Sequence, residues 1–534
     1  MEDAVSTATE VSARWLSAFA RRARVAAPSL ACWGAATLSS ILLVVSFPDF
    51  NLWPIAWFGL VPLLVVIARR PVPWRAFLLG WLTGGVFFYG SCHWLTYSMV
   101  HYGGIPAWTS YLLLVPGALT LGLFPGLFAL VLACVVKKWG WRALFAAPLV
   151  WSALEWARLA TTGQLWNALG YSQAYQPMLI QSARWGGVYF VGFLIVSVNA
   201  AIAFLLLKRT VGATTFASCV VAGAAIVTFA TQAGSKAEPS SSQGTPDVVV
   251  IALQPNVPMD PVKSPQEMRE LISRHIEMSE SGLRQLTDDR TRRLVIWPES
   301  PMNFTYSGDS QFRELLAQFS QENNASVLFN SQEPAPNEGV YNSALLVNEQ
   351  GSLIAQYDKS RLLPFGEYVP LPRWLPGAGL IRAIVGDFTP GTKYTVMPVG
   401  AHRAGVFICI ESAYPSIARR LTSEGADVLI NISNDGYLGR TAVMRQHLAN
   451  AVFRAVENGL PLLRVTNTGI SAYITAEGEV KDATSGFQPA VRTWTVAHSG
   501  NSKTFYTRHG DLFAGISGLI TLLIFAASFV ARPR

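Results

Sequence analysis

Charged residues are scarce in this chain, 14% of 534 residues against 51% hydrophobic, with a mean hydropathy of +0.31. Such a balance excludes an ordinary soluble protein of this size. Cysteine is scarce too. Cys32, Cys92, Cys134 and Cys219 lie in or beside long apolar runs, and Cys409 is the one thiol in the stretch of mixed polarity from Pro246 to about Ser499. That stretch therefore has no internal disulfide and no thiol cluster at zinc spacing. The sequence also lacks a GxxxxGK[ST] phosphate loop, a paired metal motif and a dinucleotide fingerprint, so neither a metal nor another cofactor is expected. The net charge of +8 would suit a nucleic-acid partner only if the basic residues lined one surface, and they are instead spread between apolar runs.

Those runs dominate from Ala31 to about Ala230. They predict a membrane domain over 31–231 with seven spans, at 31–47, 53–68, 76–98, 108–136, 142–160, 178–207 and 211–231, and an eighth span at 511–530. Each is near or above the roughly 17–25 residues that cross a bilayer, allowing for tilt. Glu155 and Arg158 interrupt the end of the fifth, which could instead stop early and dip back through Trp166 and Tyr171. Basic residues test the topology, because cytoplasmic loops collect Lys and Arg. Arg21, Arg22 and Arg24 precede the first span; Arg69, Arg70 and Arg75 follow the second; Lys137, Lys138 and Arg142 follow the fourth; Lys208 and Arg209 follow the sixth. The loop from His101 to Pro106 has none. This alternation places both termini in the cytoplasm, including a tail over 1–30, and sends a linker over 232–245 and a globular domain over 246–499 to the opposite side. The first span lacks a small-residue cleavage site and is expected to be retained.

The globular region alternates β-rich runs with amphipathic helices. Strands are expected at 248–254, 293–299, 326–332, 341–348, 352–359, 404–411, 427–434, 461–468 and 471–476, and helices at 265–286, 310–323, 414–423 and 441–458. The order implies a layered α/β fold with helix-covered sheets. The NEQG turn at 348–351 is a hairpin signal, so the sheets should be mixed.

Three of the expected strand ends carry reactive side chains. Cys409 closes an apolar run and precedes Glu411, Tyr414 and Pro415, as a nucleophile at a strand-to-helix elbow would. A free thiol is more often a buried structural residue, and an isolated one is mostly protonated at neutral pH. Its neighbours therefore decide. Glu299 can take the proton, and Lys359 can stabilise the developing oxyanion together with a backbone N–H, that of Ile410. Glu367 is a second carboxylate able to orient Lys359 or share base duty. Taken singly, each has a plainer reading, as a loop acid or a solvated lysine. Glu155 and Arg158, with Trp166, Asn167 and Tyr171, could line a portal for a lipid headgroup or merely secure helix packing. His447 reads as a helix-surface or core residue.

WPES at 297–300, the K-x-x-L-x-P-F-G-E-Y-V-P block from Lys359 to Pro370, and C-x-E at Cys409 to Glu411 resemble the nitrilase superfamily. With seven preceding spans and one following, the chain is similar to the apolipoprotein N-acyltransferase family. Further matches are SFPDFNLWPIAWFGLVPLL (46–64), WNALGYSQ (166–173), NISNDGYLG (431–439) and HLANAVFRAVENGLPLLRVTNTGIS (447–471). The resemblance implies a multi-span α-helical membrane protein with an inserted nitrilase-like α/β domain, an αββα sandwich. It implies Glu299 as general base, Lys359 as stabiliser of the tetrahedral intermediate and Cys409 as acyl acceptor, with Glu367 and Glu411 in support. The implied reaction moves a fatty acyl chain from the sn-1 position of a phospholipid, phosphatidylethanolamine, through a Cys409 thioester to the α-amine of a diacylglyceryl apolipoprotein. The implied setting is a bacterial inner membrane with the catalytic domain periplasmic, and the enzyme is expected to be a monomer. A tethered amidase using water instead of the amine is the alternative, and a silent binding protein is a more distant one. The sequence departs from the pattern at Ile410, at Tyr437 and Leu438, and in having no Trp after QPNVP, all sites of lipid contact or loop packing. Loops over 366–386, rich in Gly, Pro and apolar residues, are candidate lids that would keep water from the thioester.

Overall fold

The structure is a computed structural model and describes residues 27–163, 165–236, 248–259, 263–286, 291–299, 304–336, 339–364, 366–369, 388–496 and 503–530. Most of the expected lid segment, the core of the expected linker and most of the N-terminal tail lie outside the described residues.

The first half is helical. Among the described residues, three helices are long and apolar enough to cross a membrane: Ala107–Trp139, Ala183–Leu207 and Val211–Thr231. Shorter apolar helices cover Leu30–Ser46 and Leu512–Ala527. Close packing depends on small residues. A Cβ added at Gly80 or Gly84 of the helix Pro73–Ser91 would come within 2.3 Å of the Pro125 carbonyl oxygen or 2.7 Å of the Pro125 ring on Ala107–Trp139. The expected second span is divided into a 3₁₀ turn, Trp53–Trp57, and a helix, Val61–Arg69. The expected third span breaks between Pro73–Ser91 and Leu95–His101. At the break the Ser91 carbonyl accepts from side chains, Trp94 Nε1 and Gln446 Nε2, both at 3.0 Å. The fifth does not stop early: its helix, Ala147–Thr162, runs on through Glu155 and Arg158 past the expected end at 160, and the chain then passes through a buried turn, Leu169–Gln173.

The second half contains two six-stranded sheets. The first holds β1 (Val248–Gln254), β2 (Arg292–Ile296), β3 (Ala325–Pro334), β4 (Val340–Val347), β5 (Leu353–Asp358) and the late strand β12 (Ala490–Val496), in the order β12-β1-β2-β3-β4-β5. In the second, β6 (Val396–Val399), β7 (His402–Ile408), β8 (Val428–Ser433), β9 (Leu462–Thr466), β10 (Ala472–Ile474) and β11 (Val480–Lys481) run in the order β11-β10-β9-β8-β7-β6. Both are mixed. β1, β2 and β3 are parallel, as are β7, β8 and β9, and the outer pairings are antiparallel. β6, β11 and β12 had no clear counterpart in the expected strands.

The period of two sorts the first sheet into two faces. Val248, Val250, Ala252, Leu294, Ile296, Leu328, Ala344 and Leu346 enter the core shared with the second sheet. Val249, Ile251, Leu253, Val295, Val327, Phe329, Leu345 and Val347 enter a separate core under Pro265–Leu283 and Ser310–Asn323. On the far side, Pro415–Ser423 packs on β7 and Val443–Asn458 on β9, completing an αββα sandwich. Val443–Asn458 also packs on the apolar helix Ala183–Leu207, so the outer layer of the sandwich is the layer that rests on the membrane half.

Candidate active site

The side chains of interest stand where strands end. Glu299 follows β2, whose pairing continues one residue further through the Trp297 N–H to the Leu328 carbonyl at 2.9 Å. Trp297 is buried and donates through Nε1 to Ser279 Oγ at 3.0 Å, which anchors the Pro298-Glu299 segment. Lys359 is the first residue after β5; its N–H donates to the Asn342 carbonyl at 2.8 Å, and its own carbonyl accepts from Gly391 at 2.8 Å. Cys409 follows β7 and opens the 3₁₀ turn Cys409–Ala413 with φ +53°, a left-handed conformation that costs a non-glycine residue about 1 kcal/mol or more. Glu299 and Cys409 thus both stand at carboxyl ends of parallel strands, where open α/β sheets place ligands.

Lys359 is 1% exposed and bridges two carboxylates, Glu299 Oε1 at 3.2 Å and Glu367 Oε1 at 2.9 Å. Asn342 Nδ2 donates to the same two oxygens, at 3.0 and 2.7 Å. Its orientation is fixed from behind, since Asn330 Nδ2 donates to Asn342 Oδ1 at 2.7 Å. The second oxygen of Glu367 accepts from the Leu363 N–H at 2.8 Å, so the PFGEY loop holds its own acid in place. Burial opposes the charge on Lys359, but Glu299 and Glu367 outweigh it and hold the ammonium well above the usual lysine value. Burial, then the Glu299 charge, pushes the Cys409 thiol up against the pull of Lys359, so the thiol rests protonated. The cluster is therefore a protonated thiol beside a carboxylate and an ammonium, with the proton transfer still to be made.

Glu411 is fully buried and tethers two loops. Its Oε1 accepts from Tyr357 Oη at 2.8 Å, the Ser360 N–H at 2.7 Å, Ser360 Oγ at 2.8 Å and the Arg361 N–H at 3.1 Å, and its Oε2 accepts from the Ile408 N–H at 2.8 Å. Burial raises its carboxyl above the usual range against these hydrogen bonds. Ile410 packs among Cys92, Trp94, Trp166 and Val443, at the junction with the membrane half. Tyr437 is half exposed and meets Tyr102 of that half edge to face at 5.3 Å.

The structure brings Glu299, Lys359, Glu367 and Cys409 into one site, with Glu411 behind it. It does not bring Glu155 and Arg158 there. Both are buried, Glu155 accepting from the Leu169 N–H at 2.7 Å and Arg158 donating to the Trp166 carbonyl at 3.0 Å, which ties the returning segment to Ala147–Thr162. Both also line a separate, mainly apolar cavity of the membrane half with Phe88, Trp151 and Asn167. Sequence reasoning missed Asn342 and Asn330, each of which stands beside further polar residues on its strand and so is not marked out in the sequence. His447 is a core residue, with Nδ1 2.8 Å from Asp435 Oδ1 and Nε2 3.0 Å from the Cys409 carbonyl oxygen. Burial opposes ionisation of Asp435, but Arg464 and His447 hold its carboxyl below the usual range. Among the described residues no group of three or more His, Cys, Asp or Glu side chains could hold a metal ion.

Two helix-backed mixed sheets with a glutamate, a lysine and a cysteine at their strand ends, carried on apolar helices, define a nitrilase-fold enzyme domain on a membrane domain. Comparisons agree: residues 260–499 match the carbon-nitrogen hydrolase family, and residues 39–201 match the apolipoprotein N-acyltransferase N-terminal domain. The apolipoprotein N-acyltransferase of Geobacter metallireducens is 32% identical over 486 residues, covering 90% of this chain and 92% of its own. That of Sinorhizobium medicae is 27% identical, covering 83% and 85%. A solved variant of the amidase from Nesterenkonia sp. AN1 is 17% identical, with a TM-score of 0.36, over 49% of this chain and 94% of its own. The chain belongs to the apolipoprotein N-acyltransferase family and is a membrane-bound acyltransferase.

Proposed function

We propose that this enzyme moves a fatty acyl chain from a phospholipid to the α-amine of a diacylglyceryl-cysteine at the N-terminus of apolipoproteins, in two steps through Cys409. The observation that carries this reading is the Lys359 ammonium held between Glu299 and Glu367 beside a protonated thiol. In the first step Glu299 takes the thiol proton as Cys409 Sγ attacks the ester carbonyl. Lys359 Nζ and the Ile410 N–H stabilise the tetrahedral oxyanion. The ester C–O bond then breaks, Glu299 returns the proton to the leaving oxygen, and a lysophospholipid departs from the thioester. In the second step the lipoprotein amine attacks the thioester, Glu299 takes an amine proton, the C–S bond breaks, the thiolate regains the proton, and an amide remains. The sn-1 chain of phosphatidylethanolamine is the donor that the family resemblance implies. No metal or other cofactor takes part.

Seven spans before the catalytic domain and one after it would place that domain on the periplasmic side of a bacterial inner membrane, with both termini cytoplasmic. The alternation of basic loops supports this. Both substrates are lipids or lipid-anchored, so an anchored monomer meets them in two dimensions. Intact-mass measurement of the wild type and Cys409→Ala after exposure to phosphatidylethanolamine tests the reading. A hydroxylamine-labile acyl mass gain only in the wild type, passed on to a diacylglyceryl-cysteine peptide, is expected. Steady release of free fatty acid with no transfer to the amine would instead mark a hydrolase.

A further inference from the structure

The nucleophile's own peptide unit is gripped from behind by a buried chain that the reaction as written does not use. His447 Nε2 lies 3.0 Å from the Cys409 carbonyl oxygen. A carbonyl only accepts, and so does the Asp435 carboxylate that faces Nδ1, so each ring nitrogen carries a hydrogen and the charge of the ring is balanced by Asp435. On the other side of the ring Nδ1 faces Asp435 Oδ1 at 2.8 Å, and Asp435 Oδ2 accepts from Arg464 Nη2 at 3.1 Å. Asn431 Nδ2 adds a long contact of 3.5 Å to the same carbonyl, and Arg464 donates to Asn431. His447, Asp435, Arg464 and Asn431 are all at most 3% exposed, and Trp166 from the membrane half covers the imidazole at 5.6 Å.

The carbonyl of Cys409 and the N–H of Ile410 belong to one planar trans peptide, so they point in opposite directions and fixing one aims the other. Ile410 also lies in the first turn of the 3₁₀ segment, where an N–H has no partner within the turn. We infer that His447, held by Asp435 and Arg464, is a positioning residue that aims and polarises the Ile410 N–H as oxyanion donor. The ring touches neither substrate nor sulfur; it acts through the peptide. A donor hydrogen bond to the carbonyl draws electron density from the amide nitrogen and makes its N–H a stronger donor. It also holds Cys409 in its left-handed conformation. The inference rests on the Cys409 thioester reading above.

The test separates oxyanion stabilisation from general support of the thiol, because alkylation by iodoacetamide displaces iodide at a saturated carbon and forms no oxyanion. Full-length wild type, His447→Leu, His447→Gln and Asp435→Asn are compared in two rates: acylation of Cys409 by phosphatidylethanolamine and alkylation of Cys409. His447→Leu is expected to slow acylation about 30-fold, within the range for loss of oxyanion donors or their support. Its alkylation rate stays within about twofold of wild type and its half-saturating lipid concentration within about threefold, because neither depends on the oxyanion. His447→Gln keeps a donor and recovers most of the acylation rate. Asp435→Asn, which preserves shape but removes the charge that lets both ring nitrogens donate, slows acylation about tenfold and spares alkylation. Acylation and alkylation falling together in all three variants would overturn the inference in favour of a purely structural network, and so would unchanged acylation in His447→Leu. A wild type that alkylates but never acylates overturns the thioester reading itself, and this inference with it.

Discussion

At the scale of single residues, the site is an electrostatic balance in which each group sets the resting state of the next. Glu299 both receives the thiol proton in the proposed reaction and, before that, opposes thiolate formation, since after burial its charge is the main influence raising Cys409. Glu299→Gln should therefore move two observables in opposite directions. Acylation falls by about 10²–10⁴, the usual span for loss of a general base. The thiol titrates at lower pH, so more thiolate is present between pH 8 and 9 and iodoacetamide alkylation accelerates there. An alkylation profile shifted to higher pH in that variant would show that Glu299 promotes the thiolate at rest. Lys359 supplies the complementary prediction. Removing one member of a buried ionic cluster leaves the others uncompensated, so Lys359→Met should lower stability by about 3–5 kcal/mol, measured by urea or thermal unfolding in detergent. A lysine with a raised folded value contributes stability fully below its unfolded value, about 10.4, and loses it as pH rises through the folded value. The penalty in Lys359→Met should thus be constant between pH 7 and 9. Adding Glu367→Gln to it should recover part of the loss, since one unpaired carboxylate disappears.

At the scale of elements, the question is how strand ends from two different sheets hold a common geometry. β5 delivers Lys359 from the first sheet and β7 delivers Cys409 from the second, and Glu411 ties the two through Tyr357, Ser360 and Arg361 on one side and Ile408 on the other. Glu411→Leu would leave three backbone N–H groups and the Tyr357 and Ser360 hydroxyls without this acceptor in a buried place. A loss of at least about 2 kcal/mol is expected, because hydrogen bonds to charged groups are worth about 1.5–3 kcal/mol each and do not add fully. Acyl-enzyme formation should fall as well, with Glu411→Gln intermediate in both. These strand ends were legible in the sequence because an apolar run followed by a polar residue is a local pattern. The same reading could not see Asn342, whose partners Glu299 and Glu367 lie on separate segments, nor His447, which reaches the Cys409 carbonyl from a helix far along the chain. Contacts of that kind exist only once the sheets have stacked. β11 has two residues and β6 contains Pro398 at an edge, so neither offers the run that marks a strand. The break after Ser91 was hidden for another reason: Ser91, His93 and Thr96 are only scattered polar residues in a long apolar run, and one partner of the Ser91 carbonyl is a glutamine more than 350 residues away.

At the scale of the whole molecule, that glutamine joins the two halves. Gln446, on the helix that backs the second sheet, accepts from Trp94 Nε1 at 3.0 Å and Trp166 Nε1 at 2.8 Å, and donates to the carbonyls of Pro48 and Ser91, each at 3.0 Å. One neutral side chain thus satisfies groups from three separate segments of the membrane half, and it immediately precedes His447. Further along the same helix, Glu457 Oε1 accepts from the Val188 N–H at 3.0 Å, just after the kink at Gly186 and Gly187, and Arg454 donates to Tyr171 Oη at 3.2 Å. The helix Val443–Asn458 is therefore shared property: its one face supports the nucleophile's sheet and its other face is bonded into the membrane helices. Gln446→Leu preserves bulk and apolar packing but leaves the Trp166 indole N–H and the Pro48 carbonyl without this partner, while Trp94 and Ser91 keep their bond to each other. Each buried group left without a partner costs about 1–3 kcal/mol, so a fall of several degrees in Tm is expected. The location of the loosening is the sharper readout. Hydrogen exchange should quicken together over 91–97, 165–173 and 443–458, while β1, β2 and β3, which touch none of these segments through Gln446, keep their protection. Acyl transfer should drop even though Glu299, Lys359 and Cys409 are untouched, because Trp166 would no longer be held over His447. If exchange quickened on only one side of the junction, or Tm stayed at the wild-type value, the halves would be held by apolar contact and the Arg454 and Glu457 hydrogen bonds, and Gln446 would be a bystander.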